Sequence, residues 1–217
     1  RILHFYKTYY PDSVGGIEQV IRQMCVGTGR LGVSNQVLSL SRQDNLQPFE
    51  FEGHAVHRAP LNFEVASNAV SLQSIGMLAR MAREADVVHY HFPWPFMDMA
   101  HFVSRVRKPT VVTYHSDIVR QKSLLRLYQP LKHRFLRSVD AIVASSPNYL
   151  QSSPVLARYQ AAGIAVVSSP ACGAWRWASA TGASVCERER SRRYWHDRVP
   201  PAVNPVLMGP TPEAAQA

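Results

Sequence analysis

Short apolar runs and helical periods alternate through most of the chain. Strand-like runs fall at Ile2–Tyr6, Gln36–Ser41, His54–Arg58, Asp86–His91, Thr110–His115 and Ala141–Ser145. Several are continuous stretches rich in Val, Ile and Tyr, the pattern of strands buried on both faces. Helical patterns lie between them near Ile17–Leu31, Ser71–Arg83, Phe96–Val106, Gln121–Arg137 and Asn148–Arg158. This alternation predicts right-handed β–α–β crossovers. The expected fold is α/β: a Rossmann-like, doubly wound, mostly parallel sheet with helices on both faces. Ligands of such sheets bind beyond the carboxyl ends of the strands.

The texture changes near residue 160. Residues 161–217 hold 12 Ala and 6 Pro, and only Gly163–Ser168 reads as a strand. Little apolar surface recurs there on one face to offset chain entropy. The expected division is a Rossmann-like domain over 1–160 and an irregular or disordered Ala/Pro/Arg-rich tail over 161–217.

Charge and cysteine content narrow the setting. The chain has 24 Lys+Arg against 15 Asp+Glu, a formal charge of +9. Residues 1–160 supply 18 and 11 of these, so most of the excess belongs to the domain. A basic balance suits phosphate-bearing ligands, an anionic membrane face or nucleic acid. No nucleic-acid motif appears, so no nucleic-acid partner is expected. Cys25, Cys172 and Cys186 form an odd set without close pairing, which reads as a reducing compartment without a disulfide framework or zinc site. No apolar run reaches the roughly 18 residues of a membrane span, and no leader is visible, so a cytoplasmic protein is expected.

Candidate chemistry gathers where strands end. Gly15-Gly16 follows the first strand and opens the first helix, within Tyr9-Tyr10-Pro11-Asp12-Ser13-Val14-Gly15-Gly16-Ile17-Glu18. A glycine pair lets a ligand approach the backbone, and free N–H groups at a helix start favour an anion such as phosphate. A plain tight turn fits the same residues. His115, with Ser116 and Asp117, ends another strand, where an imidazole near a carboxylate could move a proton. Strand alternation puts His89 and His91 on one face, although neither His101 nor Asp98 is convincingly spaced as a further metal ligand. His91 and the loop Phe92-Pro93-Trp94-Pro95-Phe96 are expected to line the cleft mouth.

The stretch Ile118–Val139 has Arg120, Lys122, Arg126, Lys132, Arg134 and Arg137 and no acidic residue. Leu124, Tyr128, Leu131 and Phe135 share one helical face, with Lys122, Arg126, His133 and Arg137 roughly opposite. Pro130 is expected to kink or interrupt this helix. The basic face suits anionic lipid headgroups or a phosphate-carrying acceptor, and equally a solvated surface.

Residues 1–160 resemble the N-terminal, acceptor-side domain of a retaining GT-B glycosyltransferase of family 4 (group 1). The resemblance rests on Tyr10-Pro11 with Gly15-Gly16-Ile17-Glu18, on Asp86-Val87-Val88-His89-Tyr90-His91, on Thr113-Tyr114-His115-Ser116-Asp117 and on Asp140-Ala141-Ile142-Val143-Ala144-Ser145-Ser146-Pro147. It implies a nucleoside diphosphate sugar as donor substrate, a cell-surface glycan or lipid-linked acceptor, and no metal or other cofactor. By motif, His115 would sit at the reaction centre. Gly15 and Gly16 would lie against the donor, with Tyr9, His91, Tyr114, Asp117 and Ser145 around the substrate. Separately from the motifs, the charge pattern makes Arg120, Lys122, Arg126 and Arg137 the expected phosphate or membrane patch, with peripheral contact at the inner membrane face.

The family's second domain, with its Glu-x7-Glu pattern, has no counterpart in 161–217. That segment resembles an out-of-frame extension, so the chain is expected to be truncated and inactive alone. The reading from another class is a non-catalytic phosphate- or membrane-binding module. A dinucleotide-binding enzyme is disfavoured, because no G-x-G-x-x-G follows the first strand.

Overall fold

The computed structural model describes residues 1–117 and 122–168, without the side chains of 122–127, 147, 167 and 168. In chain order the elements are β1 (Ile2–Phe5), α1 (Gly16–Gly29), β2 (Asn35–Ser41), β3 (Phe49–Phe51), β4 (His54–Pro60), β5 (Phe63–Val65), β6 (Asn68–Val70) and α2 (Leu72–Glu84). There follow β7 (Val87–Phe92), α3 (Pro95–Val103), β8 (Thr110–Tyr114), α4 (Lys122–Ser138), β9 (Ala141–Ala144), α5 (Pro147–Ser152), α6 (Pro154–Ala161) and β10 (Ala165–Ser168).

Eight strands form one sheet in the order β10-β9-β8-β7-β1-β2-β4-β3, and β5 and β6 make a separate hairpin. Every pairing in the large sheet is parallel except β3 with β4. From β1 the chain winds outward through β2 and β4, then returns to β7 on the other side of β1 and continues through β8, β9 and β10. The order therefore reverses between β1 and β7. The carboxyl-end crevice at such a reversal is where open α/β sheets place ligands.

The expected strands all form, because their side chains are buried. All four residues of β1, all six of β7 and all five of β8 are buried. Helix α1 turns Glu18, Ile21, Cys25 and Thr28 inward, a spacing of three and four residues that keeps one face on the sheet. Helix α2 starts where the Ser71 hydroxyl accepts from the Ser74 N–H.

Three expectations need correction. The domain passes the boundary placed at residue 160, because β10 extends the sheet by pairing in parallel with β9. Residues 169–217 of the expected tail lie outside the described residues. The single helix expected over 148–158 is two. Pro154 disfavours a helical residue before it, and Ser153 is extended (φ −84°, ψ 113°), ending α5 and capping α6 through its hydroxyl. Finally, α4 runs through Pro130 without interruption. Pro130 is exposed, while Phe135 and Leu136 are fully buried on the inner side; packing outweighs the lost backbone hydrogen bond.

Candidate active site

The loop after β1 enters α1 at Gly15, which is extended (φ −131°, ψ −179°) and needs no special backbone freedom. An added Cβ at Gly15 would instead meet Glu18, whose Oε2 would lie 2.6 Å away and would have to shift. At Gly16 an added Cβ would meet nothing within 4 Å. The Glu18 carboxylate is held by the Thr8 and Ser13 hydroxyls, each donating to Oε1 at 2.8 Å. The electropositive start of α1 thus already faces a carboxylate of the chain itself. A phosphate brought to Gly15 would meet that charge, so the glycine pair is not an unopposed anion site in this arrangement.

His115 stands one residue beyond β8, its backbone N–H donating to the Phe92 carbonyl at 3.0 Å. That bond ties it to the end of β7, beside the strand reversal. Burial lowers its pKa to about 4, opposed by the negative charge of Glu18. Near neutral pH the ring is uncharged. It is also part-exposed, so a ligand in the crevice can reach it.

Behind His115 runs a row of buried imidazoles. His115 Nε2 lies 3.2 Å from His91 Nδ1, and His91 Nε2 lies 3.3 Å from His4 Nδ1. His4 Nε2 lies 3.4 Å from Asn35 Oδ1. The rings of His91 and His115 stack at 5.5 Å, and those of His89 and His91 at 4.6 Å. Burial drives the pKa of His4 down to about 4 and those of His89 and His91 well below the usual imidazole range.

Alternation along β7 does put His89 and His91 on one face, and their near neighbour is His4. The parallel register pairs His4 of β1 with His89 of β7. His4, His89 and His91 bring their nitrogens within 4.8 Å of one another, close enough to consider a cation. Both nitrogens of His4 and of His91 already have hydrogen-bond partners, and His89 Nε2 lies 2.7 Å from the Thr113 hydroxyl. Within the trio His4 and His91 are hydrogen-bonded to each other and His89 to Thr113, bonds that a cation would have to displace. His101 and Asp98 stand elsewhere: His101 Nδ1 meets the Tyr90 hydroxyl at 3.0 Å, and Asp98 accepts from Tyr128.

Several sequence-derived site residues prove to be internal supports. His91 is fully buried, so it reaches the crevice only through His115. Trp94, Phe92 and Phe96 are core rather than cleft mouth; the Trp94 indole N–H donates to the Ala69 carbonyl at 2.9 Å. Tyr9 is also buried, its hydroxyl 2.9 Å from His54 Nε2. Tyr114 is buried and donates to Asp117 Oδ1 at 2.7 Å, while Ser153 donates to Asp117 Oδ2 at 3.3 Å. Asp117 therefore pins the His115 loop from two sides. Ser145 follows β9 at the same sheet edge and is half-buried.

The basic patch is only partly visible. Arg120 lies outside the described residues, as do the side chains of Lys122 and Arg126. Arg137 is exposed. The neighbouring cations of α4 have internal contacts: Lys132 is buried, Arg134 stacks 4.8 Å over Phe102, and His133 bonds the Tyr159 hydroxyl. Sequence reasoning named Glu18 and Thr113 only within their motifs and missed His4 and Asn35 altogether. A histidine inside an otherwise apolar strand was the one signal available for His4.

Fold and crevice together define a Rossmann-like α/β unit with its candidate site at the strand reversal. Residues 14–169 match Glycosyltransferase Family 4, and the chain belongs to that family. D-rhamnosyltransferase WbpZ of Pseudomonas aeruginosa is 56% identical over 160 residues, covering 74% of this chain and 42% of that protein. O-antigen chain mannosyltransferase C of Escherichia coli is 51% identical over 160 residues, covering 74% and 43%. Sucrose-phosphate synthase from Thermosynechococcus elongatus shares 14% identity at a TM-score of 0.47, over 69% of this chain and 44% of that one. The chain spans less than half the length of these curated relatives. Among the described residues, no helix is long and apolar enough to cross a membrane.

Proposed function

We propose that this unit is the acceptor-side half of an enzyme moving a sugar from a nucleoside diphosphate donor to a growing glycan or lipid-linked acceptor. The names of the relatives support rhamnose or mannose as the sugar and a surface polysaccharide as the product. The carrying observation is the uncharged His115 imidazole, backed by buried histidines and facing the Glu18 charge at the strand reversal. Both groups suit sugar hydroxyls. A neutral imidazole and a carboxylate can accept hydrogen bonds from them without the desolvation cost of binding a second anion.

In this reading His115 holds the reacting sugar by a hydrogen bond, and Asp117 and Tyr114 hold the loop. Charge neutralisation of the departing diphosphate comes from the part of the enzyme outside these 217 residues. Such electrostatic terms are commonly the largest in catalysis, so the chain alone is expected to transfer no sugar. The reaction is read as needing no metal, and the setting as the cytoplasmic face of the inner membrane, where a lipid-linked acceptor would lie.

The test joins residues 1–168 to the remaining portion of the Escherichia coli relative and follows labelled mannose or rhamnose from its nucleoside diphosphate into lipid-linked acceptor. Transfer by the fusion, lost by about 100-fold or more in His115→Ala, supports the proposal. Equal activity of that variant, or turnover by the 217-residue chain alone, overturns it.

A further inference from the structure

The hydrogen-bonded row ending at His115 has a direction, and Asn35 sets it. The Asn35 side-chain amide nitrogen lies 3.1 Å from the Cys25 carbonyl, 2.8 Å from the Thr28 hydroxyl and 3.2 Å from the Val33 carbonyl. Two of these partners are backbone carbonyls, which only accept. The NH2 group must face them, and Oδ1 must therefore face His4. The reversed amide would place an oxygen against two carbonyl oxygens in a buried site.

An oxygen that only accepts forces His4 to donate from Nε2. A neutral imidazole has one N–H, so His4 Nδ1 is then a bare lone pair. His91 must fill it by donating from Nε2, which leaves His91 Nδ1 bare. His115 must in turn donate from Nε2 to His91. Each ring has one choice once its neighbour has chosen. All of this holds while the rings stay uncharged, which loss of water contact favours at each of them.

We propose that Asn35, through His4 and His91, locks His115 as the Nε2–H tautomer and so presents its bare Nδ1 to the crevice as a hydrogen-bond acceptor. Among the described residues Nδ1 of His115 has no partner. Asn35, His4 and His91 are positioning residues that act on substrate only through His115. The tautomer stands on geometry alone, whereas its use toward a sugar hydroxyl rests on the transferase reading above. An acceptor at Nδ1 selects hydroxyl donors and rejects carbonyl or phosphoryl oxygens.

Nitrogen-15 spectra of the histidine-labelled 217-residue chain test this near neutral pH, because two-bond proton–nitrogen correlations separate protonated from bare ring nitrogens. Signals are assigned by His4→Gln, His91→Gln and His115→Gln. The expected result is one tautomer, Nε2–H, at His4, His91 and His115; an Nδ1–H form at any of the three overturns the proposal. Asn35→Leu removes the anchoring oxygen. It should convert His115 to a mixture of tautomers while leaving the spectrum of His101, outside the row, unchanged. A His115 that stays entirely Nε2–H in folded Asn35→Leu also overturns it. If that variant does not fold, the wild-type spectrum still decides. An Nε2–H His115 without any transferase activity in the fusion would leave this inference standing and remove the transferase reading. An Nδ1–H His115 with His115-dependent transfer would do the reverse.

Discussion

The histidine row at the crevice and the buried His101 lead to different places. The row His4–His91–His115 crosses from β1 through β7 to the end of β8 and emerges at the crevice. His101, on α3, is equally starved of water, and burial lowers its pKa also to about 4. Its two ring nitrogens, however, are both taken by protein groups, the Tyr90 hydroxyl and Ser138 Oγ, the latter 3.4 Å from Nε2. Desolvation is common to both groups. What separates them is whether the last hydrogen bond ends on protein or on a surface open to ligand. A perturbed pKa therefore marks a candidate site here only when its hydrogen bonds lead to a ring nitrogen that no protein group takes.

Acid should act on both groups at once, and with the largest effect. Each histidine is neutral when folded and binds a proton more readily when unfolded. Stability is therefore full above about pH 6.5 and falls as the pH drops through the gap toward about 4. Each fully buried histidine should cost roughly 2 kcal/mol between about pH 6.5 and 5. Urea unfolding midpoints at several pH values check this; a flat profile over that range would break the account of neutral buried rings.

Substitution separates the groups. His91→Leu should cost about 2–4 kcal/mol, because it strands His4 Nδ1 and His115 Nε2 in the interior. His101→Leu should cost about 1–3 kcal/mol, since Ser138 keeps its bond to the Phe135 carbonyl at 2.7 Å. Only the first should also disturb the His115 nitrogen signals. Equal spectral effects from the two would collapse the distinction.

The glycine pair gives a smaller, signed contrast. Gly15→Ala should cost about 1 kcal/mol by pushing Glu18 off its hydroxyl partners, while Gly16→Ala should be neutral or stabilise by roughly 0.5 kcal/mol. In thermal melts the Gly15 variant should fall and the Gly16 variant should hold or rise. The smallest effect expected is from metal: zinc or a chelator should leave the melting midpoint unchanged, since the nitrogens of His4 and His91 are already engaged. A rise with zinc that vanishes in His4→Gln would convert the stack into a cation site.

Much of the fold could be read from the chain because its strands carry their own signal. Ile2–Phe5, Val87–Phe92 and Thr110–Tyr114 are apolar enough to require burial wherever the chain takes them. Strands β3, β5 and β6 escaped notice because each is only three residues long, too short to show a period. The site was legible only as a roster. His115 and Asp117 stood out at a strand end, but the depth of His91 and the alignment of His4 with His89 depend on register between β1 and β7. Pairing between segments more than eighty residues apart leaves no local trace. Asn35 carried no signal at all, since its role depends on which carbonyls α1 brings beside it.

Ser153 shows what such economy entails. One hydroxyl oxygen accepts from the Leu156 N–H, starting α6, while its proton goes to Asp117 and steadies the loop of His115. The start of a peripheral helix and the posture of the candidate catalytic loop are thus a single mechanical variable. Neither can be retuned without moving the other, and a change as slight as Ser153→Ala would be felt in both places at once.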